Sequence, residues 1–392
     1  MKPLIANRKK RFALQAFNLV TSLLFSPKKI FRKPVDFDNI NPAKILLIRL
    51  DYIGDVVMTS PTFPLLKQRF PDSSISLLTN SIAKQLLQGD KNIDNIYVFN
   101  WPWGHLRKNA GFTFQRIKAL LQLILQLRRN KFDLVVDFRG DIRFLLLFGV
   151  FIGAKVKLSN SRSGNRDIPD HVSTYDMSKH EVERTQDVIR CLIFTAKYEP
   201  PRIHISRQQE AEAVGLIEKT TGRPFSPASV VVAPFSSKDI KSWPEAYFKQ
   251  VISYLPGHYT VFVVGTPEDE SAANSLVAQC GENVFSLAGK TSIVQLASVT
   301  KLCSLVVGID TGVLHIASCF STPIVAIFGP TRSIEYRPYS PFCTVVENRN
   351  CVCDQFTHAR CDIAKDGYAA CMHELNADAV IHQLAKIISS EK

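Results

Sequence analysis

A chain of 392 residues exceeds one ordinary hydrophobic core and fits two domains of about 150–200 residues each. Its 46% hydrophobic and 21% charged residues exclude wholesale disorder. Nine of the thirteen net positive charges fall within residues 1–35, which hold no acid, so the remaining chain is only weakly basic and no nucleic-acid partner is expected.

The first predicted element is a basic amphipathic arm, residues 1–43. Between the cations Arg8–Arg11 and Lys28–Lys33 runs Phe12–Phe25, an apolar stretch interrupted by Gln15 and Asn18. It is short of the ~20 residues that cross a bilayer. Ser26-Pro27-Lys28-Lys29 follows, which is no signal-peptide cleavage site. The pattern suits a helix lying in the interface of an anionic membrane; a helix packed on the protein's own surface is the alternative.

From Lys44 short apolar strands alternate with helices, the signature of a doubly wound parallel α/β sheet. Strands are expected at Ile45–Leu50, Ser74–Thr79, Ile96–Phe99, Leu134–Asp137 and Lys155–Leu158, with helices at Val56–Phe70, Phe114–Arg129 and His180–Cys191. Residues 160–180 read as irregular. A proline-rich stretch from Glu199 to Pro227 marks a junction, giving domains 44–205 and 206–375. The pattern then restarts with strands at Val230–Ala233, Val261–Val264, Val284–Ser286, Leu305–Ile309 and Ile324–Phe328. Helices are expected at Pro244–Tyr254, Glu268–Gln279, Ser292–Cys303 and Gly312–Cys319, and a last one at Ala377–Ser389. That last helix, within 376–392, is expected to pack back toward the N-terminal domain. Two such halves place a ligand cleft between them, at the carboxyl ends of their strands.

Three loops carry candidate chemistry. In Ile53-Gly54-Asp55, Gly54 permits a tight turn, and Asp55 either caps the following helix or faces the cleft as a proton acceptor. In Ser236-Ser237-Lys238-Asp239-Ile240-Lys241, two hydroxyls and two lysines above a strand end suit a diphosphate, or form a solvated loop. In Asp310-Thr311-Gly312-Val313-Leu314-His315, Gly312 lets a helix N-terminus approach an anion and His315 lies one turn in. Phe328-Gly329-Pro330-Thr331 is a further loop at the same sheet edge. Glu268, after Gly265-Thr266-Pro267, is placed to accept ribose hydroxyls or merely to favour its helix's positive end. Trp243 reads as packing. Neither a Gly-x-Gly-x-x-Gly turn nor a Walker lysine is present, so neither a nicotinamide enzyme nor a P-loop ATPase is indicated.

Taken in order, these loops resemble glycosyltransferase family nine, the bacterial heptosyltransferases that extend the lipopolysaccharide inner core from ADP-heptose. The resemblance spans residues 44–390. It rests on Ile53-Gly54-Asp55 with Thr59 and Pro61, Asp137-Phe138-Arg139-Gly140, His180-Glu181-Val182, Lys241-Ser242-Trp243-Pro244, Leu287-Ala288-Gly289-Lys290-Thr291, Asp310-Thr311-Gly312 with His315, and Gly329-Pro330-Thr331. It implies a GT-B fold, an N-terminal acceptor domain, a C-terminal nucleotide-sugar domain, and inverting transfer without metal or cofactor. Asp55 then corresponds to the catalytic base and Lys241 to the group stabilising the departing diphosphate. Asp310, Thr311, Gly312 and His315 then correspond to donor-site residues, and local loop chemistry adds Ser236, Ser237 and Glu268 as donor-site candidates.

The implied acceptor is an anionic lipid-linked glycan, with Arg139, Arg143 and the basic helix Arg116–Arg129 facing it; ordinary solvated basic faces are the alternative. The implied setting is cytoplasmic, on the inner membrane surface through residues 1–35. The chain departs from the family pattern in its long arm and in Asn160–Asp176. Two rivals stand beside this reading: a nucleotide-sugar epimerase or hydrolase on the same fold, and a non-catalytic membrane-associated binding protein. Cys351, Cys353, Cys361 and Cys371, with His358 and His373, lack paired C-x-x-C knuckles, so packing thiols are expected over a zinc or redox centre.

Overall fold

A computed structural model describes residues 8–30, 34–101, 113–164, 167–193, 197–348, 361 and 364–390. The chain divides after Pro201 into two compact units.

The first unit holds strands β1 (Lys44–Ile48), β2 (Ser74–Thr79), β3 (Asn95–Val98), β4 (Leu134–Asp137), β5 (Val156–Asn160) and β6 (His171–Ser173). They pair in parallel in the order β3-β2-β1-β4-β5-β6. Ile45, Leu46, Leu47 and Ile48 are wholly buried, as a central parallel strand covered on both faces requires. Its helices are α1 (Arg8–Ile30), α2 (Ile53–Thr59), α3 (Thr62–Arg69), α4 (Ser81–Leu87), α5 (Phe114–Asn130), α6 (Ile142–Leu145) and α7 (Glu181–Ile189). α6 runs on through a π-helical turn, Leu146–Val150.

The single helix expected over Val56–Phe70 is broken. Pro61 has no N–H to continue the ladder, Ser60 turns back onto the Val57 carbonyl, and α3 starts afresh. The stretch 160–180 is less irregular than expected, because His171–Ser173 adds an edge strand to β5.

The second unit holds β7 (Ser229–Ala233), β8 (Thr260–Val263), β9 (Val284–Ser286), β10 (Leu305–Ile309), β11 (Ile324–Phe328) and β12 (Cys343–Glu347), ordered β12-β11-β10-β7-β8-β9, again parallel. Around it lie α8 (Arg207–Thr221), α9 (Glu245–Tyr254), α10 (Glu270–Val277), α11 (Ile293–Leu302), α12 (Gly312–Ala317), α13 (Ser333–Tyr336), α14 (Ala370–His373) and α15 (Ala377–Ser390). α15 buries Ala377, Val380 and Leu384 in this unit's own core beside α9 and β11.

Both sheets share one topology. The chain winds outward from β1 to β3, then returns beside β1 and winds the other way from β4 to β6. β7–β9 and β10–β12 repeat the scheme. Each sheet therefore has one switch point, between β1 and β4 and between β7 and β10. There the crevice between diverging loops receives ligands in such sheets.

Candidate functional site

The first switch point is built around a buried guanidinium. Arg49 follows β1, and its side chain is only 1% exposed. Nη1 donates to the Phe138 carbonyl after β4 at 2.9 Å, tying the two switch-point loops together. Nη2 lies 2.8 Å from Glu181 and 3.1 Å from Asp55, and Nε lies 3.0 Å from Asp51. Arg184 holds the other Glu181 oxygen at 2.8 Å, and Arg139 pairs with Asp51. Three cations and three carboxylates thus balance one another in the interior, which is the condition for burying charge at all.

Burial alone would raise the Glu181 carboxyl, but Arg49 and Arg184 outweigh it and hold it at about 2. Burial likewise opposes the charge on Arg49, and Glu181 and Asp55 overcome it and raise its pKa. Two members of this group reach solvent: Asp55, with a side chain 22% exposed, and Arg139 at 33%.

Asp55 does not cap its helix. α2 begins at Ile53 with Tyr52 as the capping position, so Gly54 and Asp55 lie in the first helical turn, and Gly54 makes no left-handed turn. A carboxylate in that turn is favoured by the helix dipole. The Asp55 side chain is turned to Arg49 rather than to the helix's own N–H groups.

The loop after β4 is set by Asp137. Its buried carboxylate accepts from Arg139 N at 3.1 Å, Asp141 N at 2.9 Å and Ser159 Oγ at 3.0 Å. Burial and the neighbouring Asp141 push this carboxyl up to about 7. Gly140 turns the loop at φ +69°, where a Cβ would sit 1.9 Å from Asn160 Oδ1. The two arginines expected to face an acceptor both have internal partners: Arg139 is paired with Asp51, and Arg143 with Asp141.

The second switch point brings together residues far apart in sequence. Ala233 of β7 pairs with Gly308 of β10, so the loops beyond them leave the same sheet edge side by side. Lys241, on a 3₁₀ turn, forms an ion pair with Asp310. His315 Nε2 lies 3.8 Å from the other Asp310 oxygen. Burial would raise the Asp310 carboxyl, but Lys241 and His315 outweigh it and hold it well below the usual carboxylate range.

Thr311 Oγ1 and His315 Nδ1 are buried without a hydrogen-bond partner among the described residues. Thr311 also leaves α12 uncapped. Buried polar atoms are rarely left unmatched, so a polar partner beyond the described residues is expected for them. Gly312 opens α12 in helical conformation, so it contributes a bare backbone rather than a left-handed turn.

The other expected donor residues lie at the same edge. Ser236 Oγ accepts from Lys238 N at 3.2 Å, and Ser237 is exposed beside it. Glu268 is exposed on a 3₁₀ turn after β8, where Asp269 rather than Glu268 does the capping. Trp243 is packing: it is buried edge-on against Phe248 and donates to the Leu375 carbonyl at 2.7 Å. Gly329 is required for packing as well, since a Cβ there would lie 2.2 Å from Met372 Sδ.

Of the cysteine cluster, Cys351, Cys353 and His358 fall outside the described residues. Cys371 is buried, and no three potential metal ligands converge among the described residues.

Two residues at the centre of the first cluster, Arg49 and Glu181, have no role assigned from sequence, although Glu181 lies in the His180-Glu181-Val182 motif. The signal for the first was an arginine set in an otherwise apolar run, Ile45–Leu50; for the second it was the density of charge in His180-Glu181-Val182-Glu183-Arg184.

A model of glycosyltransferase family 9 (heptosyltransferase) matches residues 120–365, more than half of the chain. The chain belongs to this family. Lipopolysaccharide heptosyltransferase 3 of Escherichia coli K12 is 28% identical over 309 residues, spanning 74% of this chain and 83% of that protein. Lipooligosaccharide heptosyltransferase 2 of Haemophilus influenzae is 22% identical and spans 77% and 88%. Among solved structures, E. coli ADP-heptose lipopolysaccharide heptosyltransferase II gives a TM-score of 0.70 at 19% identity, covering 89% of this chain and 99% of that one. E. coli heptosyltransferase WaaC with ADP gives 0.65 at 18%, covering 88% and 99%. The family 9 chain is a glycosyltransferase, and its two doubly wound units are those of the GT-B fold.

Proposed function

We propose that this family 9 glycosyltransferase moves heptose from ADP-heptose to a hydroxyl of an anionic, lipid-linked glycan of the lipopolysaccharide core, by one inverting displacement. The observation that carries this reading is the second switch point. Lys241, Thr311 and His315 gather there around Asp310, with two buried polar atoms unmatched, in a pattern that suits a diphosphate. The names of the relatives supply the sugar and the nucleotide.

In the proposed reaction Asp55 accepts the proton of the acceptor hydroxyl. The oxygen attacks the anomeric carbon on the face opposite the nucleotide, and the bonding pair to the diphosphate oxygen leaves with the diphosphate. Lys241 exchanges Asp310 for the diphosphate and, with the first N–H groups of α12, stabilises the charge that develops. Arg49 holds the Asp55 carboxylate in place, because its other contacts fix it on three sides.

Arg143, the more exposed of the two arginines, is our candidate for an acceptor contact, whereas Arg139 shapes its loop through Asp51. A lipid-linked acceptor fits work on the cytoplasmic surface of the inner membrane through residues 1–35. No described helix is long and apolar enough to cross a membrane.

The test is a panel of ADP-, UDP- and GDP-linked sugars. Thermal stabilisation by ADP-heptose, with ADP released only when a lipopolysaccharide-core acceptor is present, is the expected result. Preference for UDP- or GDP-sugars, or donor consumption without acceptor, would overturn it.

A further inference from the structure

Helix α1 is mounted with its polar side toward the protein. Asn18 donates to the Ser163 carbonyl at 2.7 Å, Ser22 bonds Asp167, Thr21 is buried, and Phe25 packs on Ile142, Leu145 and Ile168. The apolar residues Phe12, Leu19, Val20, Leu23 and Leu24 face outward, Leu23 at 70% exposure. A helix in water buries its apolar stripe; this one displays it.

Helix α5 repeats the display. Leu123, Ile124 and Leu127 form its inner face in the core of the first unit. Phe114, Ile117, Leu121 and Leu125, at helical spacing, form a second stripe that is exposed, Phe114 at 81%. On the helical wheel Lys118 and Arg129 flank this stripe. The two helices meet the same support: Phe25 of α1 packs on the segment beginning at Ile142. α5 touches that segment's π-helical turn, and its Arg128 donates to the carbonyl of the exposed Phe151 at 3.0 Å. Across both helices the sequence carries ten lysines and arginines and no acid.

We propose that α5 and Phe151 form, with α1, one face of the first unit that seats in the headgroup–acyl boundary of an anionic bilayer. This deepens the membrane reading given for residues 1–35 and rests on it. The occupant follows from charge and shape: exposed apolar stripes on two helices whose sequences carry cations and no acid match a lipid surface whose headgroups are negative. α5 is then a second, built-in contact that fixes how the unit sits on the surface, rather than leaving it on a tether.

Co-sedimentation of the full chain with vesicles tests this, using phosphatidylcholine alone and phosphatidylcholine mixed with phosphatidylglycerol. Wild type is expected to pellet with the mixed vesicles only. Leu121→Gln with Leu125→Gln should weaken that binding at least about tenfold, with the arm intact and with melting temperature and ADP-heptose stabilisation unchanged. Both leucines are exposed, so folding is not at stake.

The arm variant Leu19→Gln with Leu23→Gln should weaken binding as well. Wild-type binding by the α5 variant, with loss in the arm variant alone, would overturn the role of α5 and leave the arm standing. Failure of wild type to bind either vesicle would overturn both. Equal binding to the neutral vesicles, or a change of oligomeric state in the α5 variant, would also contradict the proposal.

Discussion

Replacing Arg49 by leucine removes the one guanidinium that contacts Asp51, Asp55 and Glu181 within 3.1 Å. Asp51 and Glu181 are buried to within a few per cent, so water cannot take over. Breaking a buried pair from one side costs about 3–5 kcal/mol. Arg49 also shares with Arg184 in holding the buried Glu181 carboxyl at about 2, against an ordinary 4.5, so its loss weakens that support as well. For a unit of this size each kcal/mol lowers the melting temperature by about 2–4 °C, so Arg49→Leu should melt about 6–20 °C below wild type at pH 7.

The loss should depend on pH with a definite sign. A depressed carboxyl stabilises the fold above its unfolded value near 4.5 and loses that contribution as pH falls toward about 2. The gap between wild type and Arg49→Leu should therefore hold from pH 7 to about 5 and narrow as melts are carried on from about 4.5 toward 2. Arg49→Lys, which keeps the charge but not the fork, should fall between the two. A deficit of under about 2 °C at pH 7, or one that stays constant down to about pH 2, would refute the reasoning.

Gly140→Ala forces a Cβ onto Asn160 and keeps φ at +69°; about 2–5 kcal/mol of destabilisation is expected in thermal or urea melts, and under about 1 would show that the loop gives way. Lys241→Met removes the partner that holds the Asp310 carboxyl low and deletes a cation from the proposed diphosphate site. ADP-heptose affinity, followed by calorimetry, should drop roughly 10- to 100-fold, with some loss of stability at neutral pH.

The fold was legible because its central strands are plain apolar runs: Leu134–Asp137, Leu305–Ile309 and Ile324–Phe328 fall where the sequence puts them. His171–Ser173 and Cys343–Glu347 were missed, because an edge strand is covered less and so need not be apolar. The break at Pro61 is legible as a proline inside a helical pattern.

At the sites, Asp310-Thr311-Gly312 and Lys241 could be placed at strand ends from sequence, yet their pairing needed β7 and β10 to be neighbours, which no local pattern states. The same holds for Glu181, which lies 132 residues from the Arg49 it neutralises. Local chemistry left Asp55 open between cap and base. Tertiary contact removed the cap, since its carboxylate turns to Arg49.

Whether Asp55 is the base is decided by Asp55→Asn. The variant keeps the size and a partner for Arg49 but cannot accept the proton. Acceptor-dependent release of ADP from ADP-heptose should fall about 10²- to 10⁴-fold, while stabilisation by ADP-heptose, whose proposed site lies in the other unit, stays at the wild-type value. Transfer by Asp55→Asn at the wild-type rate would contradict the account.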